Sequence, residues 1–260
     1  MPDNRPQTAQ TAAVELPGVR RLRLVEVAPP RLTGEQSTAM TRMWDDAVAT
    51  NPSLFDGPTV VCSELEWEAP ETLLLTWYRA TYRLFLLRLA PVHSVSAPSV
   101  YVTVSQPTDD GRLLVGRMAS STAAPGRWQL PGGTVEPPAA GSALDMVALR
   151  RHAARELAEE VGRDVSHHLL ELWAVTRGDK GNVGLHFRAP ARPVAELAGQ
   201  YNRLVAAEGA RGRVPELDRI AFIASDADVA GLGGHCADFL PVLAARHAAC
   251  DQSDRHEARR

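Results

Sequence analysis

The stretch Leu130–Gly162, LPGGTVEPPAAGSALDMVALRRHAARELAEEVG, constrains this chain more than any other. A Pro-Gly-Gly loop leads through a proline-rich turn into a segment free of helix breakers from about Ser142 to Val161. Ser142 and Asp145 have the spacing of a capping box, and Gly162 suits the left-handed residue that ends a helix. At about 100° per residue, Met146, Ala153, Ala154, Leu157 and Val161 gather on one apolar stripe, so this helix packs one face on a core. Glu156, Glu159 and Glu160 stand at i, i+3 and i+4 and share the neighbouring stripe. Arg151 and Arg155 point away from it, and His152, one turn before Glu156, reads as an exposed helix residue.

Around this helix the chain alternates short strands and helices. Met1 to Leu16, with Pro2 and Pro6, reads as a loose tail, and residues 251–260 as a second one. Residues 17–97 read as a small α+β unit. It has a strand at Val19–Val27, a helix at Thr33–Ala49 capped by Thr33, strands at Val60–Trp67 and Leu73–Tyr78, and a short helix at Ala80–Leu89 turning Tyr82, Phe85 and Leu86 inward. Val92–Pro98 is the best linker. Residues 98–250 then form a second unit. Asp109-Asp110-Gly111 signals a hairpin between Val100–Ser105 and Leu113–Gly116. Strands follow at Leu170–Thr176, Gly184–Arg188 and Ile220–Ala224, with helices at Val194–Glu208 and Ala237–Ala249. The alternation has no sustained βαβ rhythm, which favours a mixed sheet flanked by helices.

Composition narrows the function. Lys+Arg 28 against Asp+Glu 31 leaves a formal charge of −3, so no basic field argues for nucleic acid or an anionic membrane. Arg79, Arg83 and Arg88 interrupt the most apolar stretch and exclude an ordinary membrane span. Cys62, Cys236 and Cys250 have no paired spacing and read as unpaired thiols in a reducing compartment; with no secretory leader at MPDNRPQTAQ, the expected location is cytoplasmic.

Three like charges on one helix face repel each other. A solvated face tolerates them, but the adjacent Pro131-Gly132-Gly133 changes the reading. Glycines let backbone approach closely, and a hard divalent cation such as Mg²⁺ wants oxygen ligands, usually one or two carboxylates with water and substrate phosphates. Such an ion polarises a phosphoryl oxygen and makes bound water more acidic.

These residues resemble the Nudix box. Arg155-Glu156-Leu157-Ala158-Glu159-Glu160-Val161-Gly162 matches the family's Arg-Glu-aliphatic-x-Glu-Glu-x-Gly, and Leu130-Pro131-Gly132-Gly133 with Glu136 matches its usual lead-in. One position departs: Ala139 stands where the family has a glutamate, and the stretch from there to Arg155 is longer than the family pattern. Asp145 and Glu136 are the available substitutes. A second cue is Trp44 followed by Asn51-Pro52-Ser53-Leu54-Phe55-Asp56-Gly57, which looks like a segment of the UDP-glucose pyrophosphatase branch, where an N-terminal region and an irregular box also occur.

The resemblance implies an α/β fold, a Nudix α/β/α sandwich with a mixed sheet, preceded by the small α+β extension. It implies a Mg²⁺-dependent (or Mn²⁺-dependent) hydrolase whose partner is a small nucleoside diphosphate-linked molecule. UDP-glucose or another NDP-sugar, cleaved to NMP and sugar 1-phosphate, is the first expectation; ADP-ribose, coenzyme A and prenyl diphosphates are the rivals. Glu156, Glu159 and Glu160 are the expected metal ligands, with Gly133 completing the site and Arg155 bracing the helix. Arg117 and Arg127 are candidates to hold the diphosphate, with Gly132, Phe55 and Asp56 also at the substrate. Glu216, in Val214-Pro215-Glu216-Leu217, is the best late-loop general base, and Trp128 is read as core in preference to a stacking platform. A Nudix fold that senses a nucleotide without hydrolysing it is the competing class, favoured by Ala139.

Overall fold

A computed structural model of the chain describes residues 13–257 except Pro91 and His93. Residues 1–12 and 258–260 of the two expected tails lie outside the described residues. The rest of those segments is ordered: Val14–Glu15 forms strand β1 and pairs with a central strand, and the last helix runs on to Glu257.

The N-terminal unit holds β2 (Arg21–Glu26), α1 (Gly34–Thr50), β3 (Pro58–Ala69), β4 (Thr72–Thr81) and α2 (Arg83–Leu87). Thr33 caps α1 through a reciprocal box with Gln36, and the helix stops at Asn51, before Pro52. β2 and β3 flank β4 in a three-stranded sheet, β2 parallel and β3 antiparallel to it. α2 is shorter than expected, and it turns Leu84, Phe85 and Leu87 into the core instead of Leu86.

The second unit contains β5 (Val100–Ser105), β6 (Leu113–Met118), β7 (Trp128–Gln129), β8 (Gly132–Thr134) and α3 (Met146–Val161). After these come β9 (Glu171–Arg177), β10 (Val183–Arg188), α4 (Val194–Ala210), β11 (Leu217–Ile223), α5 (Asp226–Gly231) and α6 (Leu240–Glu257). One sheet has the order β1-β9-β10-β5-β8, and it is mixed because β10 runs parallel to β5. The other is β11-β6-β7. The chain does reverse at Asp109-Asp110-Gly111, where Thr108 N–H donates to Arg112 O at 2.7 Å. The expected hairpin is nevertheless corrected: β5 and β6 fall in different sheets, because the strands diverge beyond Gln106 and Pro107.

Period-two alternation decides what each face of the central sheet meets. Val100, Val102, Val104, Val183, Leu185 and Phe187 face Leu149, Ala153, Leu157 and Val161 of α3 and Leu197 of α4 in one buried cluster. In a second buried cluster, Ala174 of β9 joins Leu113, Val115 and Trp128 of the β11-β6-β7 sheet and Leu130, which pack with Phe239, Leu240, Leu243 and Ala244 around α6. This is the α/β/α sandwich. Truncating a fully buried member such as Leu157 to alanine costs about 2–5 kcal/mol.

The N-terminal unit is fused to this sandwich. Val60 N–H donates to Val135 O at 2.9 Å and Cys62 N–H to Pro98 O at 2.8 Å. Val60, Cys62, Leu73, Leu75 and Trp77 belong to the same buried cluster as α3. The Cys62 thiol is pushed up to about 11 by burial, which keeps it protonated and unreactive. Among the described residues, no helix is long and apolar enough to cross a membrane.

Candidate active site

α3 begins later than the sequence suggests. Asp145, not Ser142, is its cap, and the carboxylate accepts from Ala148 N–H at 2.7 Å. At the other end Gly162 has φ 74°, and a Cβ there would sit 2.9 Å from Gln200 O of α4. The helix is thus held at both termini, which fixes the height of its acidic stripe over the Pro-Gly-Gly loop.

Contact between loop and stripe is direct. A Cβ on Gly132 would lie 2.1 Å from Val102 O and 2.6 Å from Thr103 Cα, so only glycine fits beside β5. Gly132 N–H donates to Glu160 Oε2 at 2.8 Å. Glu160 is 1% exposed, and its Oε1 has no hydrogen-bond partner. Burial, then the charges of Glu216 and Glu156, raise its proton affinity well above the ordinary carboxylate value, while the Gly132 N–H opposes them.

Glu156 lies over the next glycine: a Cβ on Gly133 would be 2.7 Å from Glu156 Oε2. Its other oxygen is 2.8 Å from His152 Nε2, a close pair without the in-line geometry of a hydrogen bond. His152 is 7% exposed, which corrects its reading as a surface residue. The irregular Glu136–Leu144 stretch runs beside α3, and Glu136, Pro137, Pro138 and Leu144 line a groove with Arg151, His152 and Arg155. Glu159 is exposed, 3.9 Å from Arg155. Arg155 also lies 3.4 Å from Glu136 Oε1. Of the two substitutes for the glutamate missing at Ala139, Glu136 therefore faces the arginine, and Asp145 is occupied as the helix cap.

Glu216 sits in the loop before β11, held by Ala119 N–H donating to its carbonyl at 2.8 Å. The side chain keeps solvent contact but is hemmed in by protein. That partial desolvation, followed by the charges of Glu156 and Glu159, raises its proton affinity. Among the described residues, no three His, Cys, Asp or Glu side chains converge into a ready-made metal cage. Glu156 is turned to His152 and Glu159 to Arg155. The donors are all oxygens, and one buried oxygen lacks a partner, which suits a hard cation taking one or two carboxylates, main chain and water.

A cleft of about 280 Å³, open to solvent, begins at Gly132 and Gly133, and none of the three glutamates of the acidic stripe lines it. Its floor is the second face of the central sheet, Tyr101 and Thr103. Behind them His186, fully buried, is held between Thr103 Oγ1 at 2.7 Å and Thr176 Oγ1 at 2.8 Å. Burial drops the imidazole to about 3, so it is neutral. Arg127 lines the cleft, and both hydrogen bonds from its guanidinium go to Gln129 Oε1, at 3.1 and 2.6 Å.

A family model for the NUDIX domain matches residues 95–200. No curated protein matches the chain. Among solved structures, the MutT protein from Methanosarcina mazei Go1 is 18% identical, covering 61% of this chain and 99% of its own, with a TM-score of 0.41. The NUDIX domain of Shewanella oneidensis NrtR, complexed with ADP ribose, is 17% identical over 66% of this chain and 99% of its own, with a TM-score of 0.38. A bifunctional NMN adenylyltransferase/ADP ribose pyrophosphatase from Francisella tularensis, complexed with AMP and a Mn ion, is 16% identical over 58% of this chain and 39% of its own, with a TM-score of 0.34.

Gly132, Gly133, Arg155, Glu156, Glu159, Glu160, Arg117 and Arg127 lie inside the segment that the NUDIX model matches, whereas Phe55, Asp56 and Glu216 lie outside it. Arg117 is not brought to the cleft: it makes a bidentate pair with Asp218 on β11, at 2.8 and 3.0 Å. Asp56 is likewise engaged, accepting Arg83 N–H at 2.9 Å at the start of α2. Phe55 is 78% exposed on a groove it shares with Glu216. Trp128 is core, its indole N–H donating to Gly233 O at 3.0 Å. Tyr101, Thr103, Asp238 and Phe239 also line the cleft, and no expectation from sequence names them. The off-phase Tyr and Thr in VYVTVS were the available signal.

Proposed function

We propose that the chain is a divalent-metal-dependent Nudix hydrolase that cleaves a nucleoside diphosphate-linked substrate, NDP-X, to NMP and phospho-X. The single observation that carries this reading is the Gly132–Glu160 contact, which leaves one buried carboxylate oxygen without a partner beside Glu156. Glu160 and Glu156 would hold the ion with main chain at Gly133, and the exposed Glu159 would be the further carboxylate ligand. Bound there, Mg²⁺ or Mn²⁺ supplies charge neutralisation at the diphosphate.

The remaining chemistry belongs to the side chains. Arg127 faces the cleft with only a neutral partner and orients the diphosphate; Arg117, tied to Asp218, does not. Glu216 accepts the proton of the attacking water. The water oxygen bonds to one phosphorus, the bridging P–O bond breaks, and the leaving phosphate departs with its electron pair. Arg155, between Glu136 and Glu159, positions the stripe. UDP-glucose heads the substrate expectations through the Asn51–Gly57 segment alone.

The deciding experiment is product analysis with Mg²⁺ and with Mn²⁺ on UDP-glucose, other NDP-sugars, ADP-ribose, coenzyme A and a prenyl diphosphate, beside Glu160→Gln. Cleavage lost in the variant supports the site, and the cleaved member names the substrate. The second reading, a nucleotide sensor, is favoured by Ala139. Nucleotide binding with no cleavage of any panel member would establish it.

A further inference from the structure

His152 and Glu156, one turn apart on α3, face each other beside the Pro-Gly-Gly loop. The imidazole Nε2 lies 2.8 Å from Glu156 Oε1, and both side chains are nearly buried. Nε2 itself is shut off from solvent and makes no hydrogen bond, so Glu156 is the acceptor within its reach. Of the two carboxylate oxygens, Oε2 is the nearer to Gly133: a Cβ there would come within 2.7 Å of it and 3.0 Å of Oε1. Glu156 is thus shared between the imidazole, at Oε1, and the loop backbone, at Oε2.

The far side of the ring decides which nitrogen carries the proton. Arg155 Nη2 lies 3.5 Å from His152 Nδ1. A guanidinium has only donors, so Nδ1 accepts there, and in the neutral ring the proton sits on Nε2, the atom beside Glu156. The same neighbours argue against His152 as a metal ligand. A ligating imidazole binds through one nitrogen and donates from the other to a carboxylate, carbonyl or water. Here the other nitrogen meets a donor. Arg155, His152 and Glu156 therefore form a relay in which each group presents an N–H to the next.

We infer that His152 is a positioning residue for Glu156: its Nε2–H takes Oε1 and leaves Oε2, beside Gly133, for a divalent cation. The inference rests on the metal-dependent reading of Glu156 and adds a residue that touches neither ion nor substrate. Glu156 ends a side chain with three rotatable bonds, and the like charges of Glu159 and Glu160 repel it. A neutral donor restrains it without adding charge. The 2.8 Å pair has the distance of a hydrogen bond without its in-line direction, and a turn of the imidazole about χ2 completes it.

The test is uptake of Mn²⁺ by the full chain without nucleotide, read from the loss of the free-ion electron paramagnetic resonance signal. Glu156→Gln marks the uptake that remains elsewhere. Leucine at position 152 removes the donor and keeps the bulk, glutamine keeps an N–H near the place of Nε2, and asparagine moves it to the place of Nδ1. His152→Leu and His152→Asn should weaken uptake about 10–100-fold, with His152→Gln within about threefold of wild type. Thermal melts in EDTA report folding, and His152→Asn carries the comparison if His152→Leu does not fold. Uptake unmoved by His152→Leu, uptake lost equally in His152→Gln, or wild type no better than Glu156→Gln overturns the inference. So does a nitrogen hyperfine coupling from a directly bound ring in the spin-echo spectrum of bound Mn²⁺, which would make His152 a ligand. Turnover separates the inference from the hydrolase reading. Cleavage of NDP-X beside uptake indifferent to His152 removes the positioning role and keeps the hydrolase; His152-dependent uptake with no cleavage does the reverse.

Discussion

Gly132 donates its N–H to Glu160 Oε2 at 2.8 Å, joining the Pro-Gly-Gly loop to the last turn of α3. This bond places a buried carboxylate against backbone that has no room for a side chain. The two glycines of the loop nevertheless face different obstacles, and that difference is testable. A methyl at Gly132 meets fixed backbone of β5 at 2.1 Å, whereas a methyl at Gly133 meets the movable carboxylate of Glu156 at 2.7 Å. Gly132→Ala should therefore cost about 3 kcal/mol, lowering Tm by about 6–12 °C. Gly133→Ala should cost about 1 kcal/mol or less, because Glu156 can swing away, but should abolish the rise in Tm on adding Mg²⁺. Equal melting temperatures for the two variants would contradict this geometry.

Glu160 is raised in proton affinity by burial and by Glu216 and Glu156. A carboxylate with a raised folded pKa contributes most stability when protonated and loses it as pH rises through that value. In EDTA at pH 8, Glu160→Gln should consequently melt above wild type, and the gap should close on acidification toward pH 5. With Mg²⁺ the order should invert, since the ion stabilises only the chain that keeps its carboxylate. Differential scanning fluorimetry over pH and metal reads both effects. A variant that melts below wild type at pH 8 without metal would remove the argument.

His186 titrates in the opposite sense. Unfolded, the imidazole takes up a proton near 6.5; folded, only near 3. Between these values the unfolded chain binds the extra proton, so stability is full above 6.5 and is lost as pH falls. At about 1.36 kcal/mol per unit, roughly 2–3 kcal/mol is gone by pH 4.5. Raised carboxylates such as Glu160 and Glu216 oppose this trend, so the informative quantity is the difference between wild type and His186→Gln. Urea midpoints from pH 4.5 to 7.5 should converge as pH falls, because the variant lacks this loss.

What the sequence disclosed follows from where each signal is local. The helix Met146–Val161, its terminal glycine and the stripe of Glu156, Glu159 and Glu160 are legible because helical period and capping act within a few residues. The partition of β5 and β6 into two sheets is not, since a turn signal says that the chain reverses and nothing about which neighbour each strand takes. His152 reads as exposed because helical period places it on the acidic stripe and gives no sign that the irregular Glu136–Leu144 stretch lies alongside it. Arg117 and Arg127 look alike in sequence; only the pairing of β6 with β11 sets Asp218 beside Arg117 and leaves Arg127 for the cleft. Glu136 could be named as the partner of Arg155 only as one of two choices, for the same reason.

Phe55 and Asp56 are adjacent in a segment read as substrate-binding, and the structure separates their parts. α2 begins without a side-chain cap of its own at Tyr82; Asp56, 27 residues before Arg83, accepts that residue's N–H and pairs with its guanidinium at 2.9 Å. Asp56→Ala should cost about 0.5–2 kcal/mol, the usual loss for a cap, and lower Tm by about 1–8 °C. Phe55 is 78% exposed beside Glu216, so Phe55→Ala should leave Tm within about 1 °C, as for other surface substitutions. Any effect of Phe55→Ala on turnover should then appear without a stability change and depend on the X moiety of NDP-X. An Asp56→Ala variant that melts like wild type yet loses substrate affinity would return Asp56 to direct contact with the substrate.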